Sequence, residues 1–267
     1  MKKLIIISLI ILIPVIGIST LYFKIKHESE NTKKHNSWSY EGNTGPEFWH
    51  SLSDEYTLCS DGTSQSPINI ITADTISAKA NTLQQKYQNT PLAIINNGET
   101  IKIKYNSDSY LKIGASIYKL VQFHFHTPSE HHINGVAHPM VIHLVHTNAD
   151  GDIAVLAVFI EEGEANSTIS TILNNVPDTK HKVVRLDNVE INASDLLPIN
   201  GSHYQFSSSL TTPPCSENVL WNILKDPITL SKEQIDKFIS IMGDNARPIQ
   251  PLNDRKIILI NTDKILE

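Results

Sequence analysis

The chain has 267 residues, of which 40% are hydrophobic, and its formal net charge is −6. This length permits one large domain or two small ones. No Pro/Ser-rich stretch, charge block or internal repeat marks a linker, so we expect a single domain. An acidic domain binds nucleic acid poorly, because the phosphate backbone attracts clustered lysine and arginine. We therefore expect no nucleic-acid partner.

The N-terminal segment has the pattern of an export signal. Lys2 and Lys3 precede a nearly unbroken apolar stretch over residues 4–23, and Lys24 and Lys26 follow it. A secretory signal begins in this way, but about 20 apolar residues also suffice to span a bilayer. We expect residues 1–26 to be a signal peptide or an uncleaved membrane anchor, and residues 27–37 a polar tether. The lysine-rich end should stay in the cytoplasm. The remainder would then be periplasmic or otherwise extracytoplasmic, either free or anchored at the inner membrane.

The chain contains two cysteines, Cys59 and Cys215. An exported domain can oxidise such a pair to a disulfide. The alternative is two unrelated buried thiols, which the spacing alone does not exclude.

Strand patterns dominate from about residue 92 onward. Ile101, Ile103 and Tyr105 alternate with Lys102 and Lys104, which predicts a half-exposed strand. Further strands are predicted over residues 121–126, 140–146, 153–160, 204–210 and 219–224. The segment 153–160 is apolar on both faces, so we place it in the centre of the sheet.

Helices are few. Ser231 and Gln234 predict a capping box at the start of a helix over residues 231–243, and Gly243 stands where a helix ends. One apolar stripe of this helix comprises Ile235, Phe238, Ile239 and Met242. A weaker helix is predicted over residues 168–175. The fold class is therefore mostly β, mixed α/β: a single domain on a large, mainly antiparallel twisted central sheet with a few short peripheral helices.

Two histidines stand two residues apart in the strand predicted over residues 121–126. On a β-strand such residues point to the same face. His124 and His126 would then lie side by side, while Phe123 and Phe125 face apolar packing. A third imidazole would complete a three-histidine zinc site with one open position, which is the arrangement of a catalytic rather than a structural zinc.

The strand pattern does not fix the third histidine. His131, His132 and His138 lie in a predicted loop. His143 and His146 lie on an apolar strand, but they are three residues apart and point to opposite faces. Only one of these two can join the site, and the pattern alone leaves the choice open.

Further motifs occur in order between residues 38 and 255. They are Trp38-Ser39-Tyr40, Gly45-Pro46, Trp49, Gln65-Ser66-Pro67-Ile68-Asn69-Ile70, Asn96-Asn97-Gly98, Gln122-Phe123-His124-Phe125-His126, Ser129-Glu130-His131, His143-Leu144-Val145-His146, Leu210-Thr211-Thr212-Pro213-Pro214, Trp221, Arg247-Pro248 and Gln250-Pro251-Leu252. Together with the histidines they resemble the α-class carbonic anhydrases of the bacterial, exported type. In that type, Cys59 and Cys215 fall where a disulfide is carried. The domain so defined runs over residues 38–267.

The resemblance implies a Zn²⁺ enzyme that reversibly hydrates carbon dioxide to bicarbonate and a proton by means of zinc-bound hydroxide. Its partner would be the small-molecule substrate alone, and the protein would be a monomer or a dimer. The alternative is a non-catalytic or weakly active carbonic-anhydrase-related binding protein. Such relatives have lost zinc ligands, whereas all three histidines are present in this chain.

The resemblance also implies roles for individual residues. The zinc ligands would be His124, His126 and His143. Three more residues would surround the ligands: Gln122, which orients His124, Tyr40 and Asn97.

Thr211 would accept a hydrogen bond from the zinc-bound hydroxide and donate one to Glu130. The residues of the carbon dioxide pocket would be Val145, Val155, Leu210 and Trp221, with Thr212 near the bicarbonate position.

Two residues depart from the family pattern. Glu99 stands where a proton-shuttling histidine usually follows Asn-Asn-Gly, and a carboxylate titrates near 4.3, too low for that task. We expect proton transfer, with Glu99 as the relay, to limit turnover. Val141 stands where a glutamate usually accepts the ring proton of the third ligand, so we predict weaker zinc binding. A water or a side chain such as His131 would have to replace that glutamate.

Overall fold

The computed structural model describes residues 37–78 and 83–262. The expected leader (residues 1–26) and nearly all of the expected tether (residues 27–37) lie outside these described residues. Within the two described segments, no helix has the length and apolar character needed to cross a membrane.

Strands make up most of the secondary structure. In chain order they are β1 Asn69–Ile70, β2 Ile76–Ala78, β3 Leu83–Lys86, β4 Thr90–Asn96, β5 Ile101–Lys104, β6 Tyr110–Ile113, β7 Ser116–His126, β8 His132–Ile133, β9 Met140–Thr147, β10 Ile153–Glu162, β11 Val183–Ile191, β12 His203–Ser209, β13 Glu217–Leu224, β14 Ile228–Leu230 and β15 Ile258–Ile260. The α-helices are short: α1 Trp49–Leu52, α2 Leu58–Asp61, α3 Ser167–Leu173 and α4 Lys232–Met242.

One large mixed sheet carries 13 of these strands. Its main path runs β11-β4-β5-β7-β9-β10-β13-β12-β15-β2, with β6, β3 and β14 attached to the side. Most neighbouring strands are antiparallel, and the pairs β10–β13, β10–β14 and β2–β15 are parallel. The prediction of a large, mainly antiparallel sheet with few short helices is confirmed.

The sheet centre is buried on both sides, as predicted for residues 153–160. One cluster includes Phe123, Phe125 and Leu156, and Phe125 packs against Phe238 of α4 with ring centroids 4.5 Å apart. The other cluster includes Val155 on the opposite face of β10. The two faces of β7 therefore differ, because phenylalanines fill one and histidines the other.

Helix α4 begins with the predicted capping box. The Ser231 side chain accepts the N–H of Gln234, and the Gln234 side chain accepts the N–H of Ser231. Ile235 and Phe238 are buried as expected, but Ile239 is 46% exposed. The predicted stripe is therefore wrong at Ile239, because the face of α4 that packs on the sheet is narrower than the apolar stripe.

Candidate active site

Strands β7 and β9 bring the three histidines together. The antiparallel register places His124 directly opposite His143, and His126 lies two residues further along the same face of β7. One nitrogen from each ring lies within 4.8 Å of the others. His146 points to the opposite side, where its Nε2 lies 2.8 Å from the Tyr87 hydroxyl. The structure therefore selects His143 as the third member.

The two β7 histidines have oriented rings. Nδ1 of His124 lies 2.9 Å from Oε1 of Gln122, and Nδ1 of His126 lies 2.8 Å from the backbone carbonyl of Asn245. Because an oxygen of this kind only accepts, both Nδ1 atoms donate, and both Nε2 atoms keep a free lone pair. Nε2 of His126 is buried without a hydrogen-bond partner among the described residues, as expected for a metal ligand.

His143 is supported differently. Its Nδ1 lies 3.7 Å from Oε2 of Glu130, and Nε2 of His126 lies 3.4 Å from the same oxygen, so the two nitrogens converge. The other nitrogen of His143, Nε2, is buried and has no hydrogen-bond partner in the described part of the chain. Val141, fully buried two residues earlier, offers no acceptor.

His131 does not replace the missing acceptor. Its ring packs on Trp221 at 4.7 Å between centroids, and the ring of His143 packs there at 4.9 Å. However, Nδ1 of His131 accepts the backbone N–H of Ile68 at 3.0 Å. Burial lowers the pKa of His131 to about 3, so the ring is neutral and its Nε2 carries the proton. A nitrogen that already carries a proton cannot accept another.

Burial favours the neutral form of His124 and His143. It lowers the pKa of His124 well below the usual value, and the neighbouring His126 and Lys102 lower it further. Burial and the neighbouring His126, His124 and His131 lower the pKa of His143 in the same way. Neutral imidazoles with converging lone pairs are the donor set that Zn²⁺ prefers, so the three residues fit this metal.

Glu130 lies beneath the histidines. It is fully enclosed, and its Oε1 accepts the backbone N–H of Arg247 at 3.0 Å. Burial raises the pKa of the Glu130 carboxyl, while His126, hydrogen bonding from Thr211 and the Arg247 backbone oppose that rise. Thr211 and Glu130, between which the family resemblance implied a hydrogen bond, are therefore neighbours.

The histidines line a cavity of about 290 Å³. The other residues around it are Trp38, Tyr40, Asn97, Glu99, Thr100, Lys102, Gln122, Val145, Ile153, Val155, Leu210, Thr211, Thr212 and Trp221. Except for the buried Glu130, every candidate catalytic, binding and ligand residue named from the sequence lines this cavity.

Sheet register explains the apolar wall of the cavity. Val145 pairs with Gln122 on β7 and with Val155 on β10, and Val155 pairs in turn with Trp221 on β13. One row across four strands thus changes from polar to apolar side chains. The polar end of the row touches His124, and the apolar end forms a wall beside His143.

Two residues shape this site although their sequence pattern indicated no role in it. Asn245 accepts the Thr127 N–H at 2.7 Å through Oδ1 and donates to the carbonyls of Glu99 and Phe125 at 2.8 and 3.1 Å. Nothing in the local sequence indicates this function. The other residue is Lys102, which pairs with His124 across β5 and β7 and lies in the cavity rather than on an outer surface.

Cys59 and Cys215 form a disulfide with Cα atoms 5.1 Å apart. The bond ties the segment before β1 to the loop that carries Thr211 and Thr212, since the Cys215 N–H donates to the Thr212 carbonyl. A disulfide indicates an oxidising, exported compartment.

Comparison with known proteins agrees with this geometry. Residues 44–261 match the family model described as eukaryotic-type carbonic anhydrase. Carbonic anhydrases of Nostoc sp. and Neisseria gonorrhoeae are 43% and 42% identical, over 83% and 84% of this chain and 85% and 88% of their own lengths. The solved α-carbonic anhydrase of Thermovibrio ammonificans superposes with a TM-score of 0.81 at 41% identity, covering 83% of this chain and 98% of the other. The chain therefore belongs to the α-carbonic anhydrase family, whose activity is the zinc-dependent hydration of carbon dioxide.

Proposed function

We propose that this carbonic anhydrase works with Zn²⁺ held by Nε2 of His124, Nε2 of His126 and Nδ1 of His143. The observation that carries the proposal is the convergence of one nitrogen from each of three imidazoles, all within 4.8 Å of one another. When bound, the metal supplies the Lewis acidity that makes water nucleophilic near neutral pH. The protein residues around it have three tasks: they bind the substrate, orient the attacking oxygen and remove a proton.

The apolar wall binds carbon dioxide. The substrate is small, uncharged and linear, so it needs a dry surface beside the metal ligands rather than charged partners. Val145, Val155, Leu210 and Trp221 provide that surface, and Thr212 contacts the bicarbonate product. The indole N–H of Trp221 donates to the Ser209 carbonyl at 2.9 Å, which fixes the ring at the end of the wall.

Thr211 orients the attacking oxygen. Its hydroxyl donates to the buried Glu130 carboxylate, so its oxygen is left as an acceptor towards the cavity. The attacking oxygen then donates to Thr211 and turns a lone pair towards the carbon of the substrate. Support comes from the backbone N–H of Arg247, which holds Glu130 in place at 3.0 Å.

Glu99 makes proton removal the slow part of turnover. The side chain is half-buried in the cavity wall, and burial raises the pKa of its carboxyl. A carboxylate still matches neutral pH less well than an imidazole. Turnover therefore rises when imidazole is added as a small buffer. Equal rates in dilute and concentrated buffer would contradict this statement.

The N-terminal residues determine the location of the enzyme. We assign residues 1–26 to an export signal or an uncleaved anchor and residues 27–37 to a tether, which places the catalytic domain in the periplasm or another extracytoplasmic space. Support comes from the lysine-flanked apolar stretch in the sequence. Mass measurement of the protein recovered from cell fractions distinguishes a cleaved soluble form from an uncleaved membrane-bound one.

The decisive experiment measures zinc content and carbon dioxide hydration on the same purified full-length sample, before and after chelation and zinc return. We expect one zinc per chain and hydration that disappears and returns with the metal. Zinc at full occupancy without hydration would favour the related binding proteins instead. The Thermovibrio ammonificans enzyme has been solved with the inhibitor sulfanilamide, so inhibition by that compound is a second assay.

A further inference from the structure

An exposed histidine lies beside the turn that carries Glu99. His181 precedes β11, which runs antiparallel to β4 and pairs Val183 with Ile95. Because the start of β11 lies at the end of β4, His181 comes next to the turn that follows β4. Its backbone N–H donates to the carbonyl of Asn96 at 2.6 Å.

The imidazole of His181 contacts this turn closely. Its Cε1 and Nε2 lie 3.4 and 3.6 Å from the point where a side chain on Gly98 would begin. His181 has a φ of 64°, a left-handed conformation that few residues adopt and in which histidine, asparagine and aspartate are enriched. The backbone therefore fixes the direction in which this side chain leaves the main chain.

The turn itself is held in place from both sides. Oδ1 of Asn97 accepts the N–H groups of Glu99 and Thr100 at 3.2 and 2.7 Å. The amide of Asn245 donates to the Glu99 carbonyl at 2.8 Å, and the backbone carbonyl of Asn245 holds His126. Glu99 is thus fixed in the cavity wall while His181 lies on the solvent side of the same turn.

We propose that His181 is the proton-relay residue of this enzyme, taking protons that leave the cavity past Glu99 and passing them to buffer. The proposal rests on the hydration activity proposed above. In the family pattern this task belongs to a histidine at the position of Glu99.

The proton balance is simple. Hydration of one carbon dioxide by one water yields one bicarbonate and one proton. The ring of His181 accepts that proton through solvent outside the cavity, and the imidazolium then releases it to a buffer base. No electrons move, and His181 returns to its neutral form after each turnover.

Its residue type suits this task better than those of its neighbours. The charges that act on Glu99 come from His181, Lys102 and Lys180, and Lys182 follows His181 in the chain. Model carboxylates titrate near 4.3 and lysines near 10.4, whereas an imidazole titrates near 6.5. Only the imidazole both accepts and releases protons readily at neutral pH.

His181→Asn tests the proposal, because asparagine tolerates the positive φ but does not accept protons at neutral pH. Oxygen isotope exchange between bicarbonate and water separates substrate interconversion from the proton-dependent release of labelled water. In dilute buffer we expect kcat and water release to fall by about 100-fold or more, with kcat/KM unchanged. Added imidazole should restore kcat.

A control at another histidine and a double variant test whether the effect is specific to the proton path. His50→Asn removes another exposed histidine, on α1, and should leave both constants unchanged. Glu99→Gln combined with His181→Asn should lower kcat no further than the more severe single change, because both act on one proton path.

Unchanged kcat for His181→Asn in dilute buffer would overturn the proposal, as would a fall that imidazole does not rescue. If His181→Asn does not fold, His181→Gly, which also tolerates the positive φ and cannot accept a proton, replaces it with the same expectations. A wild-type enzyme that holds zinc but exchanges no oxygen isotope would instead refute the hydration activity itself, so the two failures are distinguishable.

Discussion

Strands β7 and β9 supply the three metal-site histidines, but they support them unequally. On β7, the outer nitrogens of His124 and His126 donate to Gln122 and to Asn245 at 2.9 and 2.8 Å. On β9, the outer nitrogen of His143 is buried without a hydrogen-bond partner in the segments that the structure describes. A site can therefore hold a complete set of ligands and still leave one of them oriented by packing alone.

The largest expected effect comes from removing a β7 ligand. His126→Ala should lose stoichiometric zinc and bring hydration below detection, because two imidazoles do not replace the three-ligand set. Metal analysis and a hydration assay check this. His146→Gln, on the opposite face of β9, is the matched control and should keep zinc. Retained zinc in His126→Ala would show that the cluster is not the metal site.

A smaller loss of zinc affinity is expected when only the hydrogen-bond acceptor of a β7 ligand is removed. Gln122→Leu deletes the acceptor for His124 Nδ1 but keeps the side-chain size. Loss of such a partner lowers metal affinity or activity by about 10- to 100-fold. Competition with a chelator measures the zinc affinity, and Gln122→Glu, which retains an acceptor, is the control. Equal affinities for Gln122→Leu and wild type would mean that the hydrogen bond does not orient His124.

Adding a hydrogen-bond acceptor for His143 on β9 should strengthen zinc binding. Val141→Glu places an acceptor two residues before His143 on the same face of the strand, and zinc release to a chelator should slow by about tenfold. Val141→Leu adds bulk without an acceptor and should not slow release. If Val141→Glu releases zinc as fast as wild type, the unpaired nitrogen of His143 is not the weak point of the site.

The smallest effect concerns the other face of β9. Burial lowers the pKa of His146 to about 4, against about 6.5 for an unfolded histidine. The unfolded chain therefore binds more protons between these values, and stability falls as the pH drops from about 6.5 towards 4. The contribution of His146 is about 1.4 kcal/mol per pH unit.

Denaturant unfolding of metal-free protein at several pH values measures this slope. His146→Gln should unfold with a shallower pH dependence by that amount over the same range, because glutamine does not titrate. Identical slopes for the variant and the wild type would mean that His146 is not held neutral by its surroundings.

Local pattern predicted the strands of this site well. Alternation placed His124 and His126 on one face of β7 and the phenylalanines on the other, because side chains on a strand alternate with a period of two. The same rule separated His143 from His146 without choosing between them. The choice depends on which face of β9 packs in the core with α4, and that is decided by contacts between distant segments.

The sequence pattern did not predict the site residues that come from distant parts of the chain. Asn245 follows a helix end and looks like an ordinary loop residue, yet its hydrogen bonds hold His126 and Glu99. His181 stands in a polar stretch, and only the pairing of β11 with β4 brings it to Gly98. Lys102 was expected on the polar side of a half-exposed strand, and the sheet turns that side into the cavity.

The amino-acid sequence by itself determined the ligand types, the strand that presents two of them and the family. These follow from side-chain chemistry and from the short-range geometry of an extended backbone. The family resemblance added His143 as the third ligand. Only the tertiary structure decided that His131 cannot replace the glutamate absent at Val141, and that a histidine lies beside Glu99. Each of these depends on hydrogen bonds and packing between segments many residues apart, which no local pattern encodes.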